Sequence, residues 1–363
     1  MKSLYSYFGL LDLHNVDSPG HSLYQLGLID SIKNTFEEDT FDFYSYYPEE
    51  ILKNHRGLEL TYPESELGEV FTKYQTKLIN HYIPSLDSIL EQIKNKQYSR
   101  LFLKARFRNI STLTKKWKDA LAFEKILDTA IAAGYEYNEI IVLDTDLSLP
   151  DSFYTKYSAQ VTVVIPSIDF PGISEDFLID CVEAHRKEFT NKKFNSVFYG
   201  NINTANYKSG NSKSQSLIPT LELLEKFHKS IDDSKFIAIC KEGDLNPKIF
   251  PNTTHIDRHD RHGIWQALTE SSIMVNVTKE KYDTRKFIPA RIYEAIIFGM
   301  IPVSYKFDFL SKTFSFTTED DLNEILKYLL ECDSDNLFHA YLHFINQYLG
   351  YAHSIPNFSY DLR

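Results

Sequence analysis

Cysteine, methionine and tryptophan are scarce in this 363-residue chain, at three, three and two residues. Cys181, Cys240 and Cys332 are far apart and odd in number, with no Cys-x-x-Cys spacing, which argues against a disulfide framework or a thiolate zinc site. No apolar run reaches the ~18 residues needed to span a bilayer, and no basic-then-apolar leader follows Met1. The expectation is a reduced, cytoplasmic protein without a transmembrane segment. Gly-x-x-x-x-Gly-Lys-Ser/Thr, His-Glu-x-x-His and Gly-x-Ser-x-Gly are also missing, so P-loop, zincin and nucleophile-elbow chemistry have no support. No short-period repeat points to a solenoid.

What is present is an ordinary globular composition, 43% hydrophobic and 25% charged, on a length that suits two domains. Tyrosine and phenylalanine are abundant, at 24 and 26 residues, which suggests mixed cores and aromatic-lined pockets. Charge reads differently at two scales. Over the whole chain, 39 basic against 50 acidic residues gives a net charge of −11, which argues against a protein that coats nucleic acid. Locally, residues 94–118 hold Lys94, Lys96, Arg100, Lys104, Arg106, Arg108, Lys115, Lys116 and Lys118 with no acid. Either this run is a solvated face feeding a helix, or it is a lip that binds a polyanion.

Short apolar runs alternate with helical patterns through most of the chain. Strands are expected at 3–11, 41–47, 101–107, 139–143 and 160–165, and helices at 21–33, 64–95 (broken at Pro84) and 112–133, the last ended by Gly134. After the polar stretch 186–195 a second series begins, with strands at 195–199, 235–240, 254–256, 273–277 and 301–304. Helices at 217–230, 263–269 and 289–298 separate them, and a helical tail after Thr318 places Leu322, Ile325, Leu326, Leu329 and Leu330 on one stripe. This pattern predicts an α/β protein of two Rossmann-like, doubly wound domains facing across a cleft. The expected division is residues 1–193, residues 194–340, and a tail of residues 341–363 packing back on the first domain. Ligands would bind between the carboxyl ends of the strands.

The sharpest segment is 288–304, IPARIYEAIIFGMIPVS. Pro289 suits a first helical turn, Arg291 and Glu294 share one helical face, and Gly299 ends the helix before the next strand. A guanidinium near a helix N-terminus suits a diphosphate, and a carboxylate one turn on can accept from vicinal ribose hydroxyls. The plain alternative is a surface i,i+3 ion pair. The stretch 255–262 (HIDRHDRH) puts Arg258 and its neighbours either at a nucleotide base or on a solvated turn, and its spacing fits no structural zinc pattern. Lys281 and Arg285 precede the key helix, either reaching phosphates or lying on a surface loop. His21, at the start of the first expected helix, is a base, a sugar contact or a structural residue. Asp144 and Asp146 follow a buried strand and are candidates for a general base, a metal site or the capping of a turn.

RIYEAIIFGMIPV resembles the donor-binding helix and following strand of GT-B glycosyltransferases, a likeness that covers about residues 195–305 and is architectural in the first half. The resemblance implies that Glu294 binds the nucleotide ribose and Arg291 the diphosphate. It also implies that Gly200 and Asn201 meet phosphates through backbone N–H groups, and that Lys208 and Lys213 clamp the diphosphate from the other side. Position 287 is Phe where many retaining members carry a second Glu, so inversion or retention stays open. The donor would be a UDP-sugar. No tightly bound cofactor or protein-bound metal is expected, and a divalent ion would at most stimulate.

For the acceptor, Arg106 and Arg108 alternate with Phe107 and lie close to Trp117, a pattern suited to a phosphate backbone and an extruded base. With the GT-B-like half, this resembles the bacteriophage enzymes that glycosylate 5-hydroxymethylcytosine, which would act in the host cytoplasm. The resemblance implies double-stranded DNA held by Lys104, Arg106, Arg108, Lys115, Lys116 and Lys118, with Asp146, Asp144 or His21 as base. Two alternatives stay open: a transferase for surface polysaccharide or lipid-linked glycan, and a non-catalytic protein that reads a nucleotide-sugar or DNA.

Overall fold

The computed structural model describes residues 1–7, 19–45, 62–78, 83, 85–105, 121–145, 149–166, 173–200, 202, 217–258, 260–277, 284 and 286–354, and every structural statement below concerns these. The first lobe holds β1 (Lys2–Tyr7), α1 (Pro19–Thr35), β2 (Thr40–Ser45), α2 (Glu66–Leu78), α3 (Leu86–Lys94), β3 (Arg100–Lys104), α4 (Leu121–Ala132), β4 (Ile140–Leu143), α5 (Asp151–Tyr157) and β5 (Thr162–Val164). Its sheet runs β2-β1-β3-β4-β5, parallel throughout. The connecting helix α6 (Glu175–Glu188) and a short 3-10 turn (Phe189–Asn191) lead to the second lobe. That lobe is built from β6 (Lys193–Tyr199), α7 (Leu217–Lys229), β7 (Phe236–Cys240), β8 (Thr254–Asp257), α8 (Arg261–Glu270) and β9 (Ser271–Val277). It continues with α9 (Ala290–Ile297), β10 (Ile301–Tyr305), β11 (Ser315–Phe316), α10 (Glu319–Glu331) and α11 (Ser334–Ser354). The second sheet is also parallel, in the order β11-β10-β9-β6-β7-β8. The expected α/β architecture of two doubly wound lobes is therefore present.

The local causes are plain in the sequence. β4 and β7 are buried at every position, as strands covered on both faces must be. In α2, Leu67, Phe71, Tyr74 and Leu78 recur at helical spacing and are all buried. Ser85 and Ser174 cap α3 and α6 by accepting the amides of Ser88 and Phe177. Thr318 and Asp321 form a reciprocal capping box at α10, and the amide and hydroxyl donors of Thr317 and Thr318 pull the Asp321 carboxyl down to about 2.

The polar stretch 186–195, after which the second series was expected, holds the end of α6, the 3-10 turn and the start of β6. Three expectations change. The helical tail after Thr318 is two helices, α10 and α11, and the division placed at 340/341 falls inside α11 (Ser334–Ser354). Helix α11 reaches the connecting segment through the Tyr348 hydroxyl at the Ile173 amide and His353 beside Glu175. Leu330 leaves the α10 stripe and is exposed, while Leu322, Leu326 and Leu329 are buried. The first helix starts at Pro19, two residues before His21.

The lobes are joined through side chains as well as chain. Phe71 of α2 packs edge-on against Trp265 of α8 and Phe298 beyond α9, at ring-centroid distances of 5.7 and 5.8 Å. Helix α1 lies against α9. A second buried histidine-centred contact holds the floor of the second sheet. Ser234 donates to the Phe194 carbonyl, so His228 donates to Ser234 through Nδ1 and accepts from Ser196 through Nε2.

Burial holds His228 down at about 4, so it stays neutral in the folded chain. The unfolded chain takes up that proton below its ordinary value of about 6.5, so stability falls from there towards pH 4 and the loss then levels off. Between pH 7 and pH 5 the wild type is expected to lose about 2 kcal/mol more than His228→Asn. Urea unfolding at both pH values checks this; equal losses would rule out a neutral, buried His228.

Candidate functional site

A doubly wound sheet reverses its winding once, and the carboxyl ends of the two strands at that point diverge into a crevice. In the second lobe, β7 and β8 extend from one side of β6 while β9, β10 and β11 extend from the other, so the reversal lies between β6 and β9. Gly200 follows β6 at this edge and donates its amide to the Ile239 carbonyl at 3.0 Å. Pro289 is the N-cap of α9, which makes Arg291 the second residue of the helix. The Arg291 guanidinium lies over the Phe198 ring, 5.2 Å from its centroid. It also packs against Gly200 so closely that a Cβ there would stand 3.1 Å from Nη2. One turn on, Glu294 is 1% exposed, a burial that a carboxylate tolerates only with donors around it. The structure thus brings Gly200 and Arg291 together at one edge, with Glu294 one turn along the same helix, but the expected Gly200 amide contact to a phosphate changes, because that amide is already given to the Ile239 carbonyl.

The rear of α9 is held from three directions. The Tyr341 hydroxyl of α11 donates to the Ile296 carbonyl at 2.6 Å, His185 Nε2 of α6 to Ile297 at 2.6 Å, and the Lys192 ammonium to Phe298 at 2.8 Å. These are carbonyls that a helix end leaves without an intrahelical partner. Burial, helped by the Lys192 charge, lowers His185 to about 3, so it remains a neutral donor. Gly299 adopts φ +67°, and the His185 ring fills the space that a Cβ there would need. Sequence reasoning recognised Gly299 as a helix end but missed Phe198, His185, Lys192 and Tyr341, whose roles come from packing between distant segments. Only the aromatic at position 198, alternating with the small residue at 200, gave any local signal.

Other expected residues are placed elsewhere. Arg258 follows β8, two strands from β6, which puts it roughly 10 Å across the sheet from the reversal. Its neighbours have structural tasks: Asp257 accepts the Glu242 amide, and Asp260 caps α8 through the Gly263 amide. In the first lobe the reversal lies between β1 and β3. Asp144, directly after β4, is 2% exposed and accepts the Leu149 amide at 3.4 Å, bracing the turn before α5. Thr145 beside it is buried with its hydroxyl unpaired, as is Ser6 on β1. Lys104 ends β3 at 4% exposure, so it adds no exposed cation to a DNA-binding lip.

Of the basic run, only Lys94, Lys96, Arg100 and Lys104 are described. Lys94, Lys96 and Arg100 precede or open β3 at the amino edge, where Arg100 pairs with Asp39 at 3.0 Å and Lys96 donates to the Gly134 carbonyl. Asp146, Asn201, Lys208, Lys213, Lys281, Arg285, Arg106, Arg108, Lys115, Lys116 and Lys118 lie outside the described residues, as does the His21 side chain. Among the described residues, no group of three or more His, Cys, Asp or Glu is placed to hold a metal ion, and no helix is long and apolar enough to cross a membrane.

No protein-family model and no curated protein matches the chain. Among solved structures it is similar to S. aureus MnaA with UDP, at 11% identity and a TM-score of 0.46, over 96% of this chain and 92% of that one. It is similar to a UDP-GlcNAc 2-epimerase from Neisseria meningitidis bound to UDP-GlcNAc, at 10% and 0.46, over 98% of both chains. A third is the E. coli ADP-heptose LPS heptosyltransferase II, at 11% and 0.43, over 90% of this chain and 99% of that one. Likeness at this level leaves the chemistry to be read from the chain's own geometry.

The packing behind α9 has a direct test. Gly299→Ala would place a Cβ 2.7 Å from His185 Cγ in a left-handed backbone, whereas Gly134, at φ +77°, has nothing nearer than 3.8 Å. Gly299→Ala is expected to cost about 2–4 kcal/mol by urea unfolding and Gly134→Ala about 1 kcal/mol. Equal costs would show that His185 does not close the helix end.

Proposed function

We propose that the chain is a GT-B-type glycosyltransferase that moves a sugar from a UDP-sugar to an acceptor hydroxyl. One observation carries the reading: the Arg291 guanidinium is held over Phe198 and against Gly200 at the winding reversal, one turn before the buried Glu294. Seated there, the guanidinium and the positive end of α9 meet a diphosphate, and Glu294 meets the ribose hydroxyls. In transfer, the acceptor oxygen bonds to the anomeric carbon, the bond to the diphosphate breaks, and the electron pair leaves with UDP. Arg291, with Lys208, Lys213, Arg285 and the Asn201 amide, would stabilise the charge that develops on that leaving group. The acceptor proton passes to a base. Asp146 and His21 are the proposed candidates, because the Asp144 carboxylate is buried and already engaged by Leu149. Arg258 would meet the nucleotide only at its outer end.

For the acceptor we propose double-stranded DNA carrying 5-hydroxymethylcytosine. Support comes from Arg106, Arg108, Lys115, Lys116 and Lys118, which follow directly on the carboxyl end of β3, a strand that borders the reversal of the first lobe. Cations next to Phe107 and Trp117 suit a phosphate backbone beside an unstacked base.

Calorimetric titration with UDP is expected to show binding that Arg291→Ala weakens at least about tenfold, the value of one charge-assisted contact. No binding by the wild type would sink the donor reading. Mass spectrometry of hydroxymethylated DNA incubated with a panel of UDP-sugars should show a hexose or pentose added to the base. A panel that leaves the base unmodified, but glycosylates a lipid-linked or soluble glycan, would replace DNA as the acceptor.

A further inference from the structure

We infer that Lys192 is a positioning residue for the donor site, acting through the rear end of α9, the helix that carries Arg291 and Glu294. Its ammonium donates to Thr269 O at 2.7 Å, Ser271 O at 3.1 Å and Phe298 O at 2.8 Å. Thr269 belongs to the last turn of α8, Ser271 opens β9, and Phe298 is the C-cap of α9. A single cation therefore closes the negative ends of two helices and the first residue of the strand between them.

The mechanical argument follows from length. α9 has eight residues, so it is ~12 Å long, and Arg291 lies less than two turns from the clamped carbonyls. With Tyr341 and His185 holding Ile296 and Ile297, the helix has little freedom to tilt or slide about its rear end. The angle at which Arg291 crosses Phe198 is thereby set from the opposite side of the sheet. Lys192 also stands immediately before β6, the strand that delivers Phe198 and Gly200. One residue thus ties the start of β6 to the rear ends of α8 and α9. The other cations near the sheet do not do this: Lys193 pairs with Glu270 at the surface, and Lys306 lies beyond β10.

The clamp predicts an effect on ligand geometry beyond lost stability. Lys192→Met keeps most of the aliphatic stem and removes the charge. Leu326→Ala, in α10 on the other side of the lobe, is the control for a general loss of stability. UDP affinity should fall about tenfold in Lys192→Met and stay within about twofold in Leu326→Ala, a misplacement effect. Equal affinity of folded Lys192→Met and wild type would overturn the inference. The ligand arm rests on the proposed donor, so amide hydrogen exchange of the unliganded proteins provides an independent arm. Exchange across residues 290–298 should rise at least about tenfold in Lys192→Met while residues 319–331 keep their protection. Unchanged protection of 290–298 would refute the clamp whether or not UDP binds, and UDP silence of the wild type alone would refute only the donor. Should Lys192→Met fail to fold, Tyr341→Phe removes one hydroxyl from the same helix end. It should raise exchange at 290–298 about threefold, and no change there would count against the clamp.

Discussion

A parallel sheet wound in both directions must reverse somewhere, and that geometrical requirement organises this molecule. In the second lobe the reversal falls between β6 and β9, the position in a doubly wound sheet where connections leave in opposite directions. Gly200 leaves the first strand at that edge, and α9 begins beyond the second with Arg291. The absence of a side chain at Gly200 lets the guanidinium lie against the backbone, where Phe198 supplies a flat face beneath it. The position of this one cation depends on three things together: sheet order, a bare Cα and an aromatic ring.

Among the described residues, several charges serve structure at the amino edges of strands and at helix ends. Arg100 is tied to the buried Asp39, Lys2 to Asp42, and Lys192 to three carbonyls. The two deeply buried histidines are kept neutral by desolvation and serve as hydrogen-bonding hinges between elements. A net acidic chain can still present cations to an anion, because a locally placed guanidinium beside a helix N-terminus outweighs a diffuse surface charge that salt screens.

Much of the fold was legible because its signals are local. Strands such as IIVL at 140–143 and FIAIC at 236–240 are unbroken apolar runs, which only a sheet covered on both faces can use. The break between α2 and α3 is marked by Pro84, and the end of α9 by Gly299. Where the reading went wrong, a long-range effect had overridden a local one. The polar stretch 186–195 carries no local sign of burial, yet Lys192 finds its acceptors in Thr269, Ser271 and Phe298, and Phe189 packs on Tyr341. Leu330 matched the apolar stripe by spacing, yet it projects to solvent. Lys104 looked like part of a basic lip and is buried at the end of its strand.

The site divides in the same way. Arg291 and Glu294 stand out because a guanidinium and a carboxylate three residues apart, on a short helix bounded by Pro and Gly, are a pattern in one dimension, whereas Gly200 entered only through the GT-B resemblance. The alternation of apolar runs with helical patterns determined the two-lobed α/β class, and the Arg-x-x-Glu spacing singled out the helix α9. Tertiary structure alone decided that Phe198 lies under Arg291, that Arg258 stands two strands away, and that Asp144 braces a turn. It also decided that Tyr341, His185 and Lys192 converge on three successive carbonyls. The physical reason is that helical and strand periodicity act over a few residues. The unpaired groups at a helix end, by contrast, accept a donor from any part of the chain that the packing brings near.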